Sequence, residues 1–340
     1  MSNIVLGKAK LQTPWQTLDP FLFCMHHDDA YPAGNDQMGP DEPLSGRALG
    51  NDFSGKDGWS MYHGKTVPGF PGHPHCGFET ITLARDGYID HSDSLGAAAR
   101  FGAGDVQWMT AGNGVVHSEM FPLVNRDEPN HTELLQIWLN LPGEDKEKDA
   151  YFTMLWNEEI PRVTFTDDEG RSSEVVAIAG SIDGHQPPSP PPNSWASREQ
   201  AAVAVWTVTM EPGAEFDLPA GPDGANRVLY YFDGATCDID GQTIESGHAV
   251  QLESDAACPL SNGETPSEFV VLQGRPIGEN VVKQGPFVAN TRGEIREAML
   301  RYRDTGFGGW PWDADDPVHP RDQGRFARHV DGTEEYPDAE

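Results

Sequence analysis

Positive charge is scarce in this sequence of 340 residues, which has 23 Lys and Arg against 54 Asp and Glu, a formal net charge of -31. Because such a surface repels phosphate groups, the sequence argues against direct binding to nucleic acid. Long apolar runs are also missing, so no segment is predicted to span a membrane. The segment Met1–Thr13 lacks the apolar centre of a signal peptide, and we therefore expect a cytoplasmic protein.

Cysteine is rare, and its spacing excludes several kinds of site. The four cysteines are Cys24, Cys76, Cys237 and Cys258, and no two of them form a CxxC pair. A zinc ribbon and a dithiol redox motif are therefore not predicted. Since a disulfide framework is uncommon in a cytoplasmic chain of this size, most of these side chains are expected to be small buried hydrophobes.

Glycine and proline, by contrast, are plentiful, at 37 and 28 residues, and they separate short runs rich in Val, Ile, Thr and aromatic residues. This pattern is typical of all-β sandwiches and barrels. A chain of this length is also long enough for two domains of moderate size. The sequence therefore predicts an all-β protein with two domains.

The two halves of the chain repeat one order of strands and turns. A hairpin turn at Asp86-Gly87 is predicted to follow the strand Thr80–Arg85, and one at Asp233-Gly234 to follow the strand Arg227–Phe232. The repeat predicts duplicated β-barrel domains joined through a linker region. The other predicted strands are Tyr88–Asp93, Val106–Thr110, Val115–Glu119, Glu133–Leu139, Ala235–Ile239, Gly247–Leu252 and Glu268–Gln273.

Two further segments have a clear local signature. The proline-rich stretch Gln186–Pro192 is predicted to be an exposed loop or a stiff polyproline segment. Near the end of the chain, Thr291 and Glu294 form a capping-box pattern, which predicts the start of a helix. The apolar residues of that helix recur at i, i+3, i+4 and i+7, and they are Ile295, Ala298, Met299 and Tyr302.

Two short motifs suggest a metal site. His73 and His75 flank a proline in the segment PGHPHCGFET, and His117 and Glu119 end the segment GDVQWMTAGNGVVHSE. In an extended strand residues i and i+2 face the same side, so each pair would direct two ligands together. The two pairs supply three neutral imidazoles and one carboxylate. That set leaves coordination positions open and suits divalent iron, with manganese, nickel, copper or zinc as alternatives.

The chain resembles the pirin family of the cupin superfamily. The stretches HPHCGFETIT, GDVQWMTAGNGVVHSE and GRPIGENVVKQGPFVANTRGEIREAML carry the resemblance, which covers residues 20 to 310 or so. Pirins consist of two cupin barrels and hold one metal, typically iron, in the N-terminal barrel. Several act on quercetin as dioxygenases, and the human member is also a nuclear transcription co-regulator. The resemblance therefore implies metal ligands at His73, His75, His117 and Glu119.

The resemblance and the repeat together imply a domain plan of tandem cupin (double-stranded β-helix or jelly-roll) barrels with a short C-terminal helix. No HxH or HxE pair occurs in the second half, where the turn offsets place Ala220 and Leu260 at the positions of His73 and His117. The expected ranges are a metal-binding barrel at 1–145, a barrel without metal ligands at 146–278, a segment whose helix packs back on the N-terminal barrel at 279–312, and a loosely ordered acidic tail at 313–340.

One residue departs from the family pattern. Most pirins carry Arg after the HPH pair, whereas this chain has Cys76. Loss of a guanidinium beside the metal would remove a positive charge and a possible anion clamp, which puts any inherited substrate preference in doubt. Cys76 is interpreted as a buried residue, with a redox-sensitive thiol or a soft extra ligand as alternatives. Strand alternation argues against direct ligation, because its side chain should point away from that of His75.

Four other residues of these motifs have open roles. Glu79 matches a glutamate that many cupins use as a ligand, but the pirin pattern takes its carboxylate from Glu119, so a supporting role is favoured for Glu79. Phe78 is interpreted as a core residue, with a platform for the substrate as the alternative. Gln107 and Trp108 alternate on one strand, so only one of them can face the metal.

The leading functional hypothesis is a metal-dependent dioxygenase that acts on a flavonol-like or other enediol-type aromatic, in which Glu119 also accepts a substrate proton. The alternative is a non-enzymatic iron or redox sensor that regulates a protein partner. The expected ligands are thus a divalent metal, a small aromatic substrate and dioxygen. A protein partner is possible, no membrane or nucleic acid is expected, and we expect a monomer.

Overall fold

Strands are the main secondary structure in the computed structural model, which describes residues 4–337. In chain order the first ten strands are β1 (Val5–Lys10), β2 (Phe21–Tyr31), β3 (Gly69–His75), β4 (Phe78–Asp86), β5 (Tyr88–Asp93), β6 (Ala98–Gly102), β7 (Val106–Thr110), β8 (Val115–Met120), β9 (Asn130–Asn140) and β10 (Tyr151–Leu155). The next ten are β11 (Arg162–Thr166), β12 (Ser172–Ala179), β13 (Ala204–Met210), β14 (Glu215–Leu218), β15 (Asn226–Asp233), β16 (Thr236–Ile239), β17 (Gln242–Glu245), β18 (His248–Leu252), β19 (Cys258–Asn262) and β20 (Ser267–Gly274). The last elements are β21 (Val282–Gln284), β22 (Phe287–Ala289), helix α1 (Arg292–Thr305), β23 (Phe326–Arg328) and β24 (Glu334–Glu335).

The all-β prediction is confirmed by these elements. Apart from α1, the helical segments within residues 4–337 are single 3-10 turns at Lys56–Gly58, Gly143–Asp145, Trp195–Ser197, Glu199–Ala201 and Gly306–Gly308. Over the same residues, no helix is long and apolar enough to cross a membrane.

The chain divides into two compact units. The first unit comprises Met25–Ile137, Leu141–Glu158 and Glu279–Glu340, and the second comprises Met1–Cys24, Trp138–Asn140 and Glu159–Gly278. These bounds differ from the sequence-based ranges 1–145 and 146–278 at the N-terminus and near residue 145. Strand pairing accounts for both differences, because β1 joins β18 in the second unit and β10 joins β7 in the first.

The first unit is built on two antiparallel sheets. One has five strands in the order β10-β7-β4-β9-β2, and the other has six in the order β24-β23-β6-β5-β8-β3. The predicted turn at Asp86-Gly87 is present, but β4 and β5 lie in different sheets, so its interpretation as a hairpin is wrong. The chain turns a corner here: Gly87 has φ +72°, and a side chain in its place would collide with Thr132.

The second unit repeats this plan. Its large sheet has the order β1-β18-β15-β20-β13-β12-β11, and its small sheet the order β14-β19-β16-β17. The central strands β18-β15-β20 follow the same order as β7-β4-β9 of the first unit, which agrees with the repeat in the sequence. The turn at Asp233-Gly234 again connects strands of different sheets, so the second hairpin prediction fails for the same reason.

Each unit has its own hydrophobic core. In the first unit it is formed by residues such as Ile89, Phe101 and Leu134, all at most 2% exposed. In the second unit Leu229, Val250 and Phe269 are fully buried among aliphatic side chains of both sheets. The predicted proline-rich loop, residues 186–192, follows β12 and forms no strand or helix.

Helix α1 begins as the sequence predicted. The side chain of Thr291 accepts from the backbone N–H of Glu294, and the Glu294 side chain accepts in return from the backbone N–H of Thr291. Ile295 and Ala298 are buried in a small apolar cluster, whereas the predicted core residue Met299 is 38% exposed. The other members of that cluster are Cys76, Val116, Phe287, Ala289 and Phe307.

The acidic tail is ordered over its described part, residues 313–337, so the expectation of a loosely ordered tail is wrong there. Strand β23 pairs with β6, and the backbone carbonyls of His319, Pro320 and Gln323 accept hydrogen bonds from Arg100 at 2.8 to 3.0 Å. The guanidinium of Arg100 is buried and also pairs with both carboxylate oxygens of Asp90. A buried cation needs such partners, which explains why this polar segment holds its place.

Candidate metal centre

Strands β3 and β8 bring the predicted histidines together. His73 is the register partner of His117, and His75 follows two residues later on the same face of β3. The prolines on either side of His73 are tolerated because β3 is the edge strand of its sheet. The register shifts between Phe70 and His73, a local irregularity that sets the direction of the strand at the first histidine.

The three imidazoles form one tight group. One ring nitrogen of each of His73, His75 and His117 lies within 4.8 Å of the corresponding atoms of the other two. The ring centroids are 4.5 Å apart for His73 and His117, 4.6 Å for His75 and His117, and 4.8 Å for His73 and His75. Three nitrogen donors at these separations can converge on a single divalent ion.

The protonation states of the group favour metal binding. Burial lowers the pKa of His73 to about 4, and it lowers the pKa values of His75 and His117 well below the ordinary value. All three rings are therefore neutral near pH 7, which is the form that coordinates a metal. Nδ1 of His73 lies 3.0 Å from the carbonyl of Pro71, so it must carry the proton, and Nε2 keeps its lone pair.

His117 supplies the observation that tests whether a metal fits. Its side chain is fully buried, and neither ring nitrogen has a hydrogen-bond partner among residues 4–337. A buried polar group without partners is costly, and a metal ion at this position would satisfy one nitrogen directly. The residues present therefore fit a bound divalent metal.

Glu119 lies at the edge of the histidine group. Its Oε2 is 3.7 Å from Nε2 of His117, and it is buried. Gln136 donates to both carboxylate oxygens, at 3.1 Å and 2.8 Å, and the hydroxyl of Thr82 donates to Oε1 at 3.3 Å. Burial raises the pKa of Glu119, an effect that the hydrogen bond from Gln136 and the other nearby donors oppose.

The neighbouring motif residues take different places. The ring of Phe78 is fully buried with its centroid 5.0 Å from that of His75. Glu79 accepts a hydrogen bond of 2.6 Å from the hydroxyl of Thr110. It is adjacent to Phe78 on β4, so its side chain leaves the opposite face of the sheet, which is consistent with a supporting role.

Strand register resolves the choice between Gln107 and Trp108. Gln107 is the partner of Thr82 and so shares the face of the sheet from which Thr82 reaches Glu119. Trp108 is the partner of Ile81 and lies on the opposite face. Gln107 is therefore the residue that faces the centre.

Cys76 is directed away from the histidine group. Its sulfur donates to the carbonyl of Gly112 at 3.6 Å and lies 3.7 Å from a guanidinium nitrogen of Arg301 on helix α1. Burial raises the pKa of the thiol, and Arg301 opposes that rise. An arginine thus does stand beside this position, but it comes from a distant part of the chain.

Sequence reasoning missed three side chains that surround the centre. Gln136 and Thr82 bind Glu119, and the buried ring of His91 lies 5.4 Å from that of His117. A signal for Gln136 existed, because it is a lone polar residue in the middle of the apolar run LLQIWL. Alternation along that strand would have placed it on an inner face.

Comparison with known proteins gives consistent results for both halves. The family model described as Pirin matches residues 5–139, and the model of the Pirin C-terminal cupin domain matches residues 205–308. A Pseudomonas aeruginosa protein named "Putative quercetin 2,3-dioxygenase" is 33% identical over 237 residues, which are 69% of this chain and 78% of the relative. Human pirin is 33% identical over 252 residues, covering 73% of this chain and 80% of the relative.

Solved structures show the same architecture. The crystal structure of quercetin 2,3-dioxygenase from Acinetobacter baumannii superposes with a TM-score of 0.70 at 23% identity, covering 90% of this chain and 98% of the other. At that identity the likeness establishes the fold. Together with the family models it confirms the prediction of two cupin domains with a C-terminal helix.

Proposed function

The chain belongs to the pirin family, and we propose that it is a metal-dependent dioxygenase that acts on a quercetin-type flavonol or a related aromatic enediol. The observation that carries the proposal is the buried group of three neutral histidines with a carboxylate at its edge. The name of the Pseudomonas aeruginosa relative supports the reaction class. The proposed ligands are His73, His75, His117 and Glu119, and the proposed metal is Fe²⁺, with Mn, Ni, Cu and Zn as alternatives.

A divalent ion at this position would supply Lewis-acid polarisation of adjacent substrate oxygens and a meeting point for substrate and dioxygen. The protein holds the neutral imidazole nitrogens in position for the ion. The Nδ1–H of His73 is fixed by the Pro71 carbonyl, which keeps Nε2 available as a donor to the ion. The ring of His75 is held at the edge of Phe78. Because these contacts exist before any substrate arrives, little reorganisation is needed on binding.

Glu119 is proposed to have a second role as the acceptor of a substrate hydroxyl proton. Its Oε1 accepts from Thr82 and Gln136, and its Oε2 accepts from Gln136 and faces Nε2 of His117. A carboxylate oxygen beside the donor group lies within reach of a hydroxyl that approaches the same place. Gln136 holds the carboxylate by both oxygens, so it fixes the orientation in which that proton would be received.

Oxygen uptake tests the proposal. The full chain is loaded anaerobically with Fe²⁺, or with each alternative metal in turn, and oxygen consumption is followed with quercetin, other flavonols, catechols and non-aromatic enediols. We expect uptake with an aromatic enediol that is lost in His117→Ala and kept in His248→Ala, a matched histidine of the second unit. Uptake that does not exceed the His117→Ala background with any substrate and metal would contradict a dioxygenase function.

A further inference from the structure

An unusually long connection precedes the first metal-binding motif. Residues 32–68 join β2 to β3 and contain no regular element except the single turn Lys56–Gly58. Connections longer than about 12–15 residues without secondary structure are uncommon in compact domains and are usually either functional or disordered linkers. We refer to residues 32–68 as the entry loop. The proposed function assigns it no role.

The entry loop is held in one conformation by a buried arginine. The guanidinium of Arg47 donates to the Asp52 carboxylate at 3.0 Å, to the carbonyl of Trp59 at 2.9 Å and to that of Lys56 at 2.7 Å. It also lies 3.2 Å from the centre of the Trp59 ring, a cation–π contact. These bonds hold residues 47–59 of the loop together, so the shape of this part is set before any ligand binds.

A backbone bridge then fixes the residue next to Phe53. Asp52 and Tyr62 exchange two backbone hydrogen bonds of 2.8 Å. The hydroxyl of Tyr62 donates to the buried carboxylate of Asp29 at 2.6 Å, and Nδ1 of His27 lies 2.8 Å from the same hydroxyl. Both ends of Tyr62 are thereby anchored, and the backbone at Phe53 is anchored with it.

Phe53 itself is exposed although it lies among aromatic rings. Its side chain is 54% exposed, and its ring centroid is 5.4 Å from Tyr62, 5.1 Å from His63 and 6.4 Å from Phe70. Tyr62 and Phe70 are stacked at 5.1 Å. A ring kept only for the core would be expected to bury its faces, whereas this one keeps about half of its surface available.

The aromatic group adjoins the metal centre on its open side. His73 is partly exposed, whereas His75, His117 and Glu119 are at most 3% exposed. A ligand can therefore approach most readily past His73. Phe70 stands at this point: its ring centroid is 6.2 Å from that of His73, and its register partner on β8 is Glu119.

We propose that Phe53 of the entry loop, together with Phe70, forms a stacking subsite that holds the ring system of a planar aromatic substrate beside the metal centre. The inference rests on the proposed function of the same centre and deepens it, because it makes the entry loop a determinant of substrate class. Planar aromatic enediols gain a stacking surface here, and small non-aromatic enediols do not. The subsite requires no movement, since Arg47 and the Asp52–Tyr62 bridge already fix the loop.

Binding, rather than turnover, tests the subsite directly. The full chain is loaded with Zn²⁺, which is redox-inactive, and titrated calorimetrically under anaerobic conditions with quercetin and with ascorbate as a non-aromatic enediol. We expect Phe53→Ala to weaken quercetin binding roughly three- to tenfold, the loss typical of one aromatic contact, and to leave ascorbate binding unchanged. Phe53→Tyr keeps an aromatic ring at this position and should bind quercetin as the unmodified chain does. Leu49→Ala is the matched control, because Leu49 is an exposed apolar residue of the same loop.

The outcomes separate the subsite from the reaction. If Phe53→Ala and Leu49→Ala bind quercetin as the unmodified chain does, the subsite is overturned while a dioxygenase function stands. If the unmodified chain takes up oxygen only with non-aromatic enediols and binds no quercetin, the subsite is likewise overturned. If quercetin binding depends on Phe53 but no metal supports oxygen uptake, the subsite stands and the proposed reaction fails.

Discussion

The two units place different side chains at the same position of the same strand pair. In the first unit β3 and β8 pair His73 with His117, and in the second unit β14 and β19 pair Phe216 with Leu260. The sequence offsets placed Leu260 correctly relative to His117, but they placed Ala220 at the position of His73. The strand register shows that Phe216 occupies it instead, because the connection that follows the strand is longer in the second unit, residues 219–225 against residues 76–77.

The correspondence continues along both strands. Two residues after the first pair, His75 lies opposite Val115, and Leu218 lies opposite Cys258. Two residues after Leu260, the position that corresponds to Glu119 holds Asn262. Its amide donates to the carbonyls of Met210, Glu211 and Thr265 at 2.8 to 3.2 Å.

The difference shows how one scaffold serves two purposes. The first unit holds three imidazoles, of which His117 has no hydrogen-bond partner on either ring nitrogen within residues 4–337. The second unit holds apolar side chains that pack in its core, and an amide that donates to backbone carbonyls. Buried polar groups without partners destabilise a fold, and buried apolar groups stabilise it. We therefore expect that, in metal-free protein, the buried imidazole of His117 lowers the free energy of unfolding of the first unit.

The largest expected effect is the loss of metal after His117→Leu. This substitution gives the first unit the residue that the second unit has at the matching position, Leu260. The metal content of protein purified without added metal should fall from about one equivalent per chain to a small fraction of that. The substitution removes the most deeply buried of the four proposed ligands and leaves His73, His75 and Glu119 to hold the ion with lower affinity. His248→Leu, on β18 of the second unit, is the control and should not change the metal content. Undiminished metal in His117→Leu would show that the centre lies elsewhere.

The next prediction concerns the stability of variants at two buried arginines, one in each unit. Arg100 of the first unit uses all its donors, on Asp90 and on three carbonyls of the tail, whereas Arg227 of the second unit has no hydrogen-bond partner among residues 4–337. Burial lowers the pKa of Arg227 to about 10. Arg100→Met should lower the free energy of unfolding by about 3–5 kcal/mol, since it leaves Asp90 buried without its cation.

Arg227→Met should instead raise the free energy of unfolding by about 1–4 kcal/mol, because it removes a buried charge that no hydrogen bond compensates. Chemical denaturation of both variants beside the unmodified chain measures the contrast. A loss of stability in Arg227→Met would mean that its guanidinium has a compensating partner in solution, and the contrast with Arg100 would then be lost.

Exchanging the residues at the two matching positions, His117 and Leu260, tests how much a buried histidine lowers the free energy of unfolding. Leu260→His places an imidazole in an apolar core and should lower the free energy of unfolding by about 2–4 kcal/mol. His117→Leu, measured on metal-free protein, should leave that free energy equal or higher. Denaturation in the presence of a chelator compares the two. A clear loss of stability in metal-free His117→Leu would show that this imidazole has a structural role.

Much of the centre could be predicted from the sequence because its ligands lie two residues apart on strands. The i, i+2 spacing alone places His73 with His75, and His117 with Glu119, on common faces. The structure brings the three histidines together as that spacing predicts. What spacing could not supply was the pairing of β3 with β8, which depends on contacts between residues far apart in sequence.

The failures also have physical causes. The turn at Asp86-Gly87 has the composition of a hairpin, but the same composition is compatible with a corner between two sheets, and the two are distinguished by the long-range pairing of β4 and β5 with other strands. The tail was misjudged from its polarity, because its partner Arg100 lies far away in the sequence. The entry loop gave no periodic signal, since Arg47 and the Asp52–Tyr62 bridge hold it through irregular contacts.

The smallest expected effect concerns the glutamine that orients Glu119. Gln136→Met removes the donors to both carboxylate oxygens while keeping a side chain of similar size, and it should weaken metal affinity about 10- to 100-fold. Gln107→Met is the matched control: Gln107 faces the same centre, but its amide nitrogen has no hydrogen-bond partner among residues 4–337. Competition with a chelator of known affinity measures both variants. Equal affinities in the two would show that Glu119 holds its position without Gln136, and the difference between the units would then rest on the four proposed ligands alone.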